Sequence, residues 1–233
     1  VSFIVATSRS WSNILASKLE ARLGKPFYLL TQRADLSRKR LAEINPRYIF
    51  FPHWSHIIPE EIHKNHECIV FHMTDLPYGR GGSPLQNLIL HGKKQTQISA
   101  LRCINELDAG PIYLKRPLDL QGSANDIFLR AAGVIESMIE DIVRNEPQPQ
   151  PQRGEVVVFR RRKPGESNLF DAKISCLNDF YDFIRMLDGE GYPKAFIDLH
   201  SHRIEFSGVT VADNKLAGSF LIHDKDNFQL SNE

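Results

Sequence analysis

The first two-thirds of the chain alternate short, continuous apolar runs with segments whose apolar residues recur at helical spacing. No other feature limits the fold as much. Ser2–Thr7 (SFIVAT), Phe27–Thr31 (FYLLT), Tyr48–Phe51 (YIFF) and Cys68–Met73 (CIVFHM) read as strands. After the first of them comes a polar loop, Ser8–Ser12; Ile14, Leu15, Leu19 and Leu23 then share one helical face, and Gly24 is a stop signal. A charged helix over about Leu36–Ile44 ends before Asn45-Pro46, and Pro59 opens another short helix. Strands that are apolar at every position must be covered on both faces, and intervening helices supply that cover. The pattern predicts a doubly wound α/β domain with a mostly parallel sheet.

Beyond the fourth strand lie a Gly-rich loop, Asp75–Ser83, and a helix starting at Pro84. Strands near Gln97–Ile104 and Ile112–Lys115 follow, joined by Asn105–Pro111, and a long amphipathic helix covers about Ala124–Arg144. Glu146–Gly154 (EPQPQPQRG) then breaks the pattern, because alternating Pro and Gln can neither form a helix nor donate to a ladder. It reads as an extended connector. The expected organisation is an α/β domain over residues 1–145, a linker over 146–154 and a small α+β appendage over 155–233. The appendage shows a strand at Val156–Phe159, a helix at Leu177–Leu187 and short strands at Ala195–Leu199, Arg203–Phe206 and Phe220–His223.

Charge and cysteine usage exclude some functions. Lys and Arg number 29 against 28 Asp and Glu, a net charge of +1, which argues against a chain whose main task is to neutralise a nucleic-acid backbone. Cys68, Cys103 and Cys176 have no short pair spacing and offer neither a disulfide framework nor a zinc cluster. His53 and His56 flank Trp54 without an acidic partner at helical spacing, so no metal is expected. No apolar run reaches the ~18–20 residues of a membrane span, and the expected location is cytoplasmic.

Ligands of open α/β sheets bind beyond the carboxyl ends of the strands. His72 ends the fourth strand there, where an imidazole can donate or accept near neutral pH. Gly79, Arg80, Gly81 and Gly82 follow, and glycine permits positive φ and close approach to a ligand. The plain alternative is a tight turn over a buried histidine. Asp108, in INELDAGPIY, is by itself a turn former; paired with a strand-end histidine it is a candidate general base.

The segment FHMTDLPYGRGGSPLQNLI resembles the signature loop of formyltransferases that use 10-formyltetrahydrofolate. That loop runs Asn-x-His-x-Ser-x-Leu-Pro, then Arg-Gly and a helix; His72, Thr74 in place of Ser, Leu76-Pro77 and Arg80-Gly81 match it. ELDAGPIY is similar to the family's Asp-x-Gly segment, with Asp108 at the catalytic aspartate, and FFPHWSHIIPEEI stands where the family closes its folate pocket. RRRKPGESNLF and YPKAF are similar to the post-linker segment, so the resemblance spans about Val1–Phe196. It implies a Rossmann-like formyltransferase domain that moves a formyl group from N10-formyltetrahydrofolate to an amine through a tetrahedral intermediate. Asp108 would take the amine proton and His72 would serve the oxyanion. The resemblance places folate contacts at Trp54, Arg80, Gly81, Gly82, Ile104 and Leu107, and acceptor contacts at Ser8, Arg9, Trp11, Asp75 and Tyr78. One position departs: the family's Asn, two residues before the histidine, is Val70, which cannot hydrogen-bond an oxyanion. Thr74, Asn105, Asp75 and a backbone N–H near Gly81 are the candidate replacements.

Three subfamilies compete. Methionyl-tRNA formyltransferases carry a full C-terminal barrel and need a basic surface. Glycinamide ribonucleotide formyltransferases keep the Asn. Enzymes that formylate nucleotide-activated amino-dideoxy sugars carry short, varied C-terminal modules, and LDAGPIY is most similar to theirs. The expected partner is therefore a nucleotide-diphosphate amino sugar and not a nucleic acid, with methionyl-tRNA or another small amine as the alternative. Arg9, the serine hydroxyls and a helix N-terminus in Thr7–Asn13 can hold a diphosphate, while Trp11 either lines the sugar or base site or packs under the first helix. Val70 also leaves open a non-catalytic folate or nucleotide-sugar binding module. The small sheet of the tail has edges to cover, which suits a homodimer.

Overall fold

Phe3, Ile4, Val5 and Ala6 of the first strand, β1 (Ser2–Ala6), are all buried, as a strand covered on both faces requires. The chain, a computed structural model that describes residues 1–225, continues through α1 (Leu15–Leu23), β2 (Phe27–Leu30), α2 (Arg38–Ile44), β3 (Pro46–Phe51), α3 (Glu60–His63), β4 (Cys68–His72) and β5 (Tyr78–Gly81). It goes on with α4 (Pro84–Leu90), β6 (Gln95–Arg102), β7 (Ile112–Asp119), α5 (Ala124–Asn145), β8 (Val157–Phe159), α6 (Leu177–Arg185), β9 (Ala195–Leu199), β10 (His202–Ala212) and β11 (Lys215–Asp224). Residues 226–233, the end of the expected appendage, lie outside the described residues.

Six strands form the main sheet in the order β2-β1-β3-β4-β6-β7. β1 runs parallel to β2 and β3, and β3 parallel to β4, whereas β6 is antiparallel to β4. The sheet is mostly parallel, as the sequence predicts. On one face Ile4, Ala6, Leu30, Ile49 and Phe51 pack with Leu41 of α2 and Ile62 of α3. The alternate residues Phe3, Tyr48 and Phe50 cluster through their rings with Phe27 and Phe71. α1 and α5 are tied by Arg22, which reaches Glu136 at 2.8 Å and Glu140 at 2.7 Å. Gly24 ends α1 at φ +62°, the left-handed cap its position suggests.

Four elements differ from expectation. The segment 75–83 is not all loop: β5 pairs in parallel with β8, a partner far along the chain that no local pattern announces. β7 extends to Asp119 through Pro117, which an end strand of the sheet tolerates. β10 and β11 are 11 and 10 residues long rather than short, and they turn at Asp213 and Asn214, with φ of +51° and +55°. Two consecutive positive-φ residues suit a two-residue hairpin. Most of β11 is exposed, so no apolar alternation reveals its length.

The described chain divides into two compact units. Val1–Pro84, Gln95–Leu118 and Leu129–Phe159 form one; Leu85–Lys94, Asp119–Phe128 and the chain from Arg160 form the other. Connector residues 146–154 fall within the first unit, where Ile112 and Gln150 exchange backbone hydrogen bonds of 2.7 and 2.8 Å. The second unit packs α6 against the antiparallel sheet β9-β10-β11 and buries Arg185, which donates to the carbonyls of Leu120 and Gly122 at 2.6 and 2.8 Å. Among the described residues no helix is long and apolar enough to cross a membrane.

Candidate active site

β4 delivers His72 to its carboxyl end with the ring nearly buried. Nε2 lies 2.7 Å from the Gly79 carbonyl. A carbonyl only accepts, so Nε2 carries the ring proton and Nδ1 is the nitrogen left for chemistry. Nδ1 faces Asp108 Oδ2 at 3.6 Å, and both side chains are nearly buried. Asp108 sits on the loop between β6 and β7 at φ +53°, and its Oδ2 accepts the Gly81 N–H at 2.9 Å. Glycine is required at 81: φ is +99°, and an added Cβ would lie 2.5 Å from the Phe159 carbonyl oxygen.

Thr74 supports this arrangement from below. Fully buried, it donates its hydroxyl to the Gly79 carbonyl at 3.3 Å, while its own carbonyl accepts Ser99 Oγ at 2.8 Å. Gly82 donates to the Phe159 carbonyl at 3.1 Å, and Tyr78 packs edge-on against the Phe159 ring at 5.3 Å. Arg80 donates Nε and Nη2 to Gln152 Oε1 at 3.1 and 2.9 Å, and Nη1 to Glu106 at 2.9 Å. His72 and Thr74 therefore share the Gly79 carbonyl, Gly81 and Arg80 are tied to Asp108 directly and through Gln152, and the two sets meet where His72 faces Asp108 at 3.6 Å.

Other candidates have different partners. Asn105 is exposed and donates to Glu60 at 2.9 Å; Asp75 pairs with Lys115 at 2.5 Å. Ile104 and Leu107 are exposed on the same loop as Asp108. Val70, between Phe51 and Leu101 in the sheet, packs against the core. Of the four candidate replacements for the family Asn, Thr74 is committed to Gly79, Asn105 to Glu60, Asp75 to Lys115 and the Gly81 N–H to Asp108. Ser8, Arg9 and Trp11 gather around His53: Trp11 meets it edge-on at 5.5 Å, Arg9 lies 5.7 Å from the Trp11 ring and the Ser8 N–H donates to the His53 carbonyl. Burial, helped by Arg9, lowers His53 to about 4, so it is neutral at pH 7. Trp54 packs edge-on to Phe51 and His56.

Burial and the nearby Asp108 carboxylate push the Cys103 thiol up to about 11, so it is no nucleophile at neutral pH. An open cavity of about 460 Å³ lies beside the cluster, lined by Leu76, Ile112, Lys115, Gln152 and Arg153 among others. No group of three His, Cys, Asp or Glu among the described residues is placed to hold a metal ion. Sequence reasoning missed Gln152, Glu106, Lys115 and the Gly79 carbonyl. The Pro-Gln alternation was the one available signal for Gln152, and it reads as a spacer.

Residues 24–125 match the family model described as formyl transferase, and residues 164–223 match the methionyl-tRNA formyltransferase C-terminal domain. The methionyl-tRNA formyltransferase of Thermodesulfovibrio yellowstonii is 25% identical over 197 residues, 81% of this chain and 62% of that protein. The chain thus spans less than two-thirds of the length of this curated relative. A solved methionyl-tRNA formyltransferase from Clostridium thermocellum superposes with a TM-score of 0.92 at 45% identity, over 96% of this chain and 99% of that one. A sugar N-formyltransferase from a Shewanella species gives a TM-score of 0.66 at 16% identity, over 95% and 97% of the two chains, a likeness of fold alone. The family match covers the segment that carries His72 and Asp108, and the Clostridium thermocellum protein aligns over nearly its whole length: the chain belongs to the formyltransferase family.

Proposed function

We propose that this chain transfers a formyl group from N10-formyltetrahydrofolate to the amine of methionyl-tRNA. The observation that carries the chemistry is the His72–Asp108 pair, with one histidine nitrogen fixed on the Gly79 carbonyl and the other facing the carboxylate. An amine attacks only when neutral, and its nitrogen must lose a proton as the new C–N bond forms. Asp108 Oδ2 is held by the Gly81 N–H, which leaves Oδ1 to take that proton. His72 Nδ1, nearly buried beside Asp108, is the position from which the ring can donate to the formyl oxygen as it becomes negative, the work a preorganised donor does best in a water-poor site. The proton then goes to the leaving folate nitrogen as its bond to the formyl carbon breaks. The folate supplies the formyl group. Exposed Ile104 and Leu107 offer apolar surface for its ring, and Arg80 and Gly81 border the same cluster.

The acceptor reading differs from the one the sequence favours. LDAGPIY is most similar to the amino-sugar enzymes, and the near-neutral charge reads against a nucleic-acid partner. Support for methionyl-tRNA comes from the 45% identical relative and from the C-terminal-domain match at residues 164–223, against 16% identity for the sugar enzyme. Arg153, exposed at the cavity beside Gln152, can meet phosphate. The test supplies 10-formyltetrahydrofolate with charged methionyl-tRNA and, separately, with a panel of amino-sugar nucleotides. Tetrahydrofolate release with methionyl-tRNA is expected; release with an amino sugar alone overturns the acceptor, and release with none overturns the activity.

A further inference from the structure

We propose that Gln152, from the Pro-Gln connector, is a positioning residue for Asp108. Its carboxamide is fully used. Nε2 donates to the carbonyls of Asp108 at 2.7 Å and Gly110 at 2.9 Å, and Oε1 accepts Nε and Nη2 of Arg80 at 3.1 and 2.9 Å. Asp108 and Arg80–Gly81 carry the two ends of the Asp108–Gly81 hydrogen bond, so one side chain brackets the contact that aims the carboxylate. The bracket is needed because the loop that carries Asp108 lies between β6 and β7 and has no regular ladder of its own to hold the carboxylate in place. The connector can present Gln152 this way. Gln150 is tied to Ile112 by two backbone hydrogen bonds, and Pro149 and Pro151 keep the flanking backbone extended.

The turnover arm of the test rests on the formyl-transfer reading; the exchange arm does not. Gln152→Ala removes all four contacts. Gln152→Glu keeps an acceptor for Arg80 and loses both donors to the loop, so it separates holding Arg80 from holding Asp108. Gln148→Ala, at an exposed position of the same connector, is the control. Amide hydrogen exchange of the full chain should show Gly81 exchanging about tenfold faster or more in both Gln152 variants, with the β4 and β6 amides and the Gln148 control unchanged. In turnover, kcat should fall about tenfold or more in both variants, with KM for the folate within about threefold. Wild-type protection of Gly81 in Gln152→Ala, or wild-type kcat in Gln152→Glu, overturns the proposal. So does a general loss of protection across β4 and β6, which would make Gln152 a residue of folding. Should the wild-type chain formylate no amine, the functional reading fails while Gly81 exchange still decides the role of Gln152.

Discussion

The Gly79 carbonyl takes the Nε2 proton of His72, so chemistry at that ring is confined to Nδ1, and Nδ1 meets Asp108. Each side chain then has a single open position, Nδ1 on the histidine and Oδ1 on the carboxylate. Asp108→Asn keeps the size and an oxygen for the Gly81 N–H but cannot take a proton. His72→Ala removes the imidazole that faces Asp108 and takes its Nε2 donor away from the Gly79 carbonyl. Each substitution should lower kcat about 100-fold or more, read as tetrahydrofolate release at saturating substrates. A variant that stays within a few-fold of wild type takes that residue out of the chemistry. Val70 stands apart from this: at the place of the family Asn it packs into the core, and no polar group is lost with it.

The loop between β6 and β7 is the element on which the site depends. At Gly110 an added Cβ would lie 1.8 Å from the Arg102 carbonyl oxygen, a backbone atom that no rotamer change can move. Gly110→Ala should force the loop open, lowering stability by about 2–4 kcal/mol and abolishing turnover as Asp108 shifts. Gly133→Ala, in α5 where the added methyl meets nothing within 4 Å, should stabilise by about 0.5–1 kcal/mol in the same urea titration. If the two variants unfold alike, steric crowding at Gly110 is not what shapes the loop. This level also shows what the sequence discloses. β1 to β4 are legible because each is built round a continuous apolar run, His72 because it ends such a run ahead of a Gly-rich loop, and Asp108 because it stands near Gly110 in the turn between two strand-like segments. β5 and Gln152 are not legible, since Arg80 meets Gln152 at a separation of 72 residues, and neither leaves a mark in its local pattern. The strands within β10 and β11 are legible but their full length is not, because largely exposed residues need no alternation.

Across the whole molecule, 29 basic against 28 acidic groups leave a net charge of +1, and that balance reads as evidence against a nucleic-acid partner. Net charge is a sum, however, and a polyanion is met by local groups. Arg160 and Arg38 are occupied by Glu166 and Glu61, whereas Arg153 stands exposed at the cavity that Lys115 and Gln152 line. A near-neutral chain can therefore hold an acceptor stem at a few phosphates and release it readily. That arrangement has a signature in salt. Each phosphate neutralised releases condensed counterions, so kcat/KM for a tRNA acceptor falls as a power of salt concentration set by the number of contacts. With two or three contacts, raising NaCl from about 50 to about 200 mM should lower kcat/KM for methionyl-tRNA about tenfold or more, almost entirely through KM. A sugar nucleotide carries only a diphosphate and no condensed atmosphere, and its kcat/KM should change less than about threefold over the same range. A flat response with methionyl-tRNA would mean that the chain does not grip the nucleic-acid backbone, and the acceptor would have to be recognised through its aminoacyl end alone.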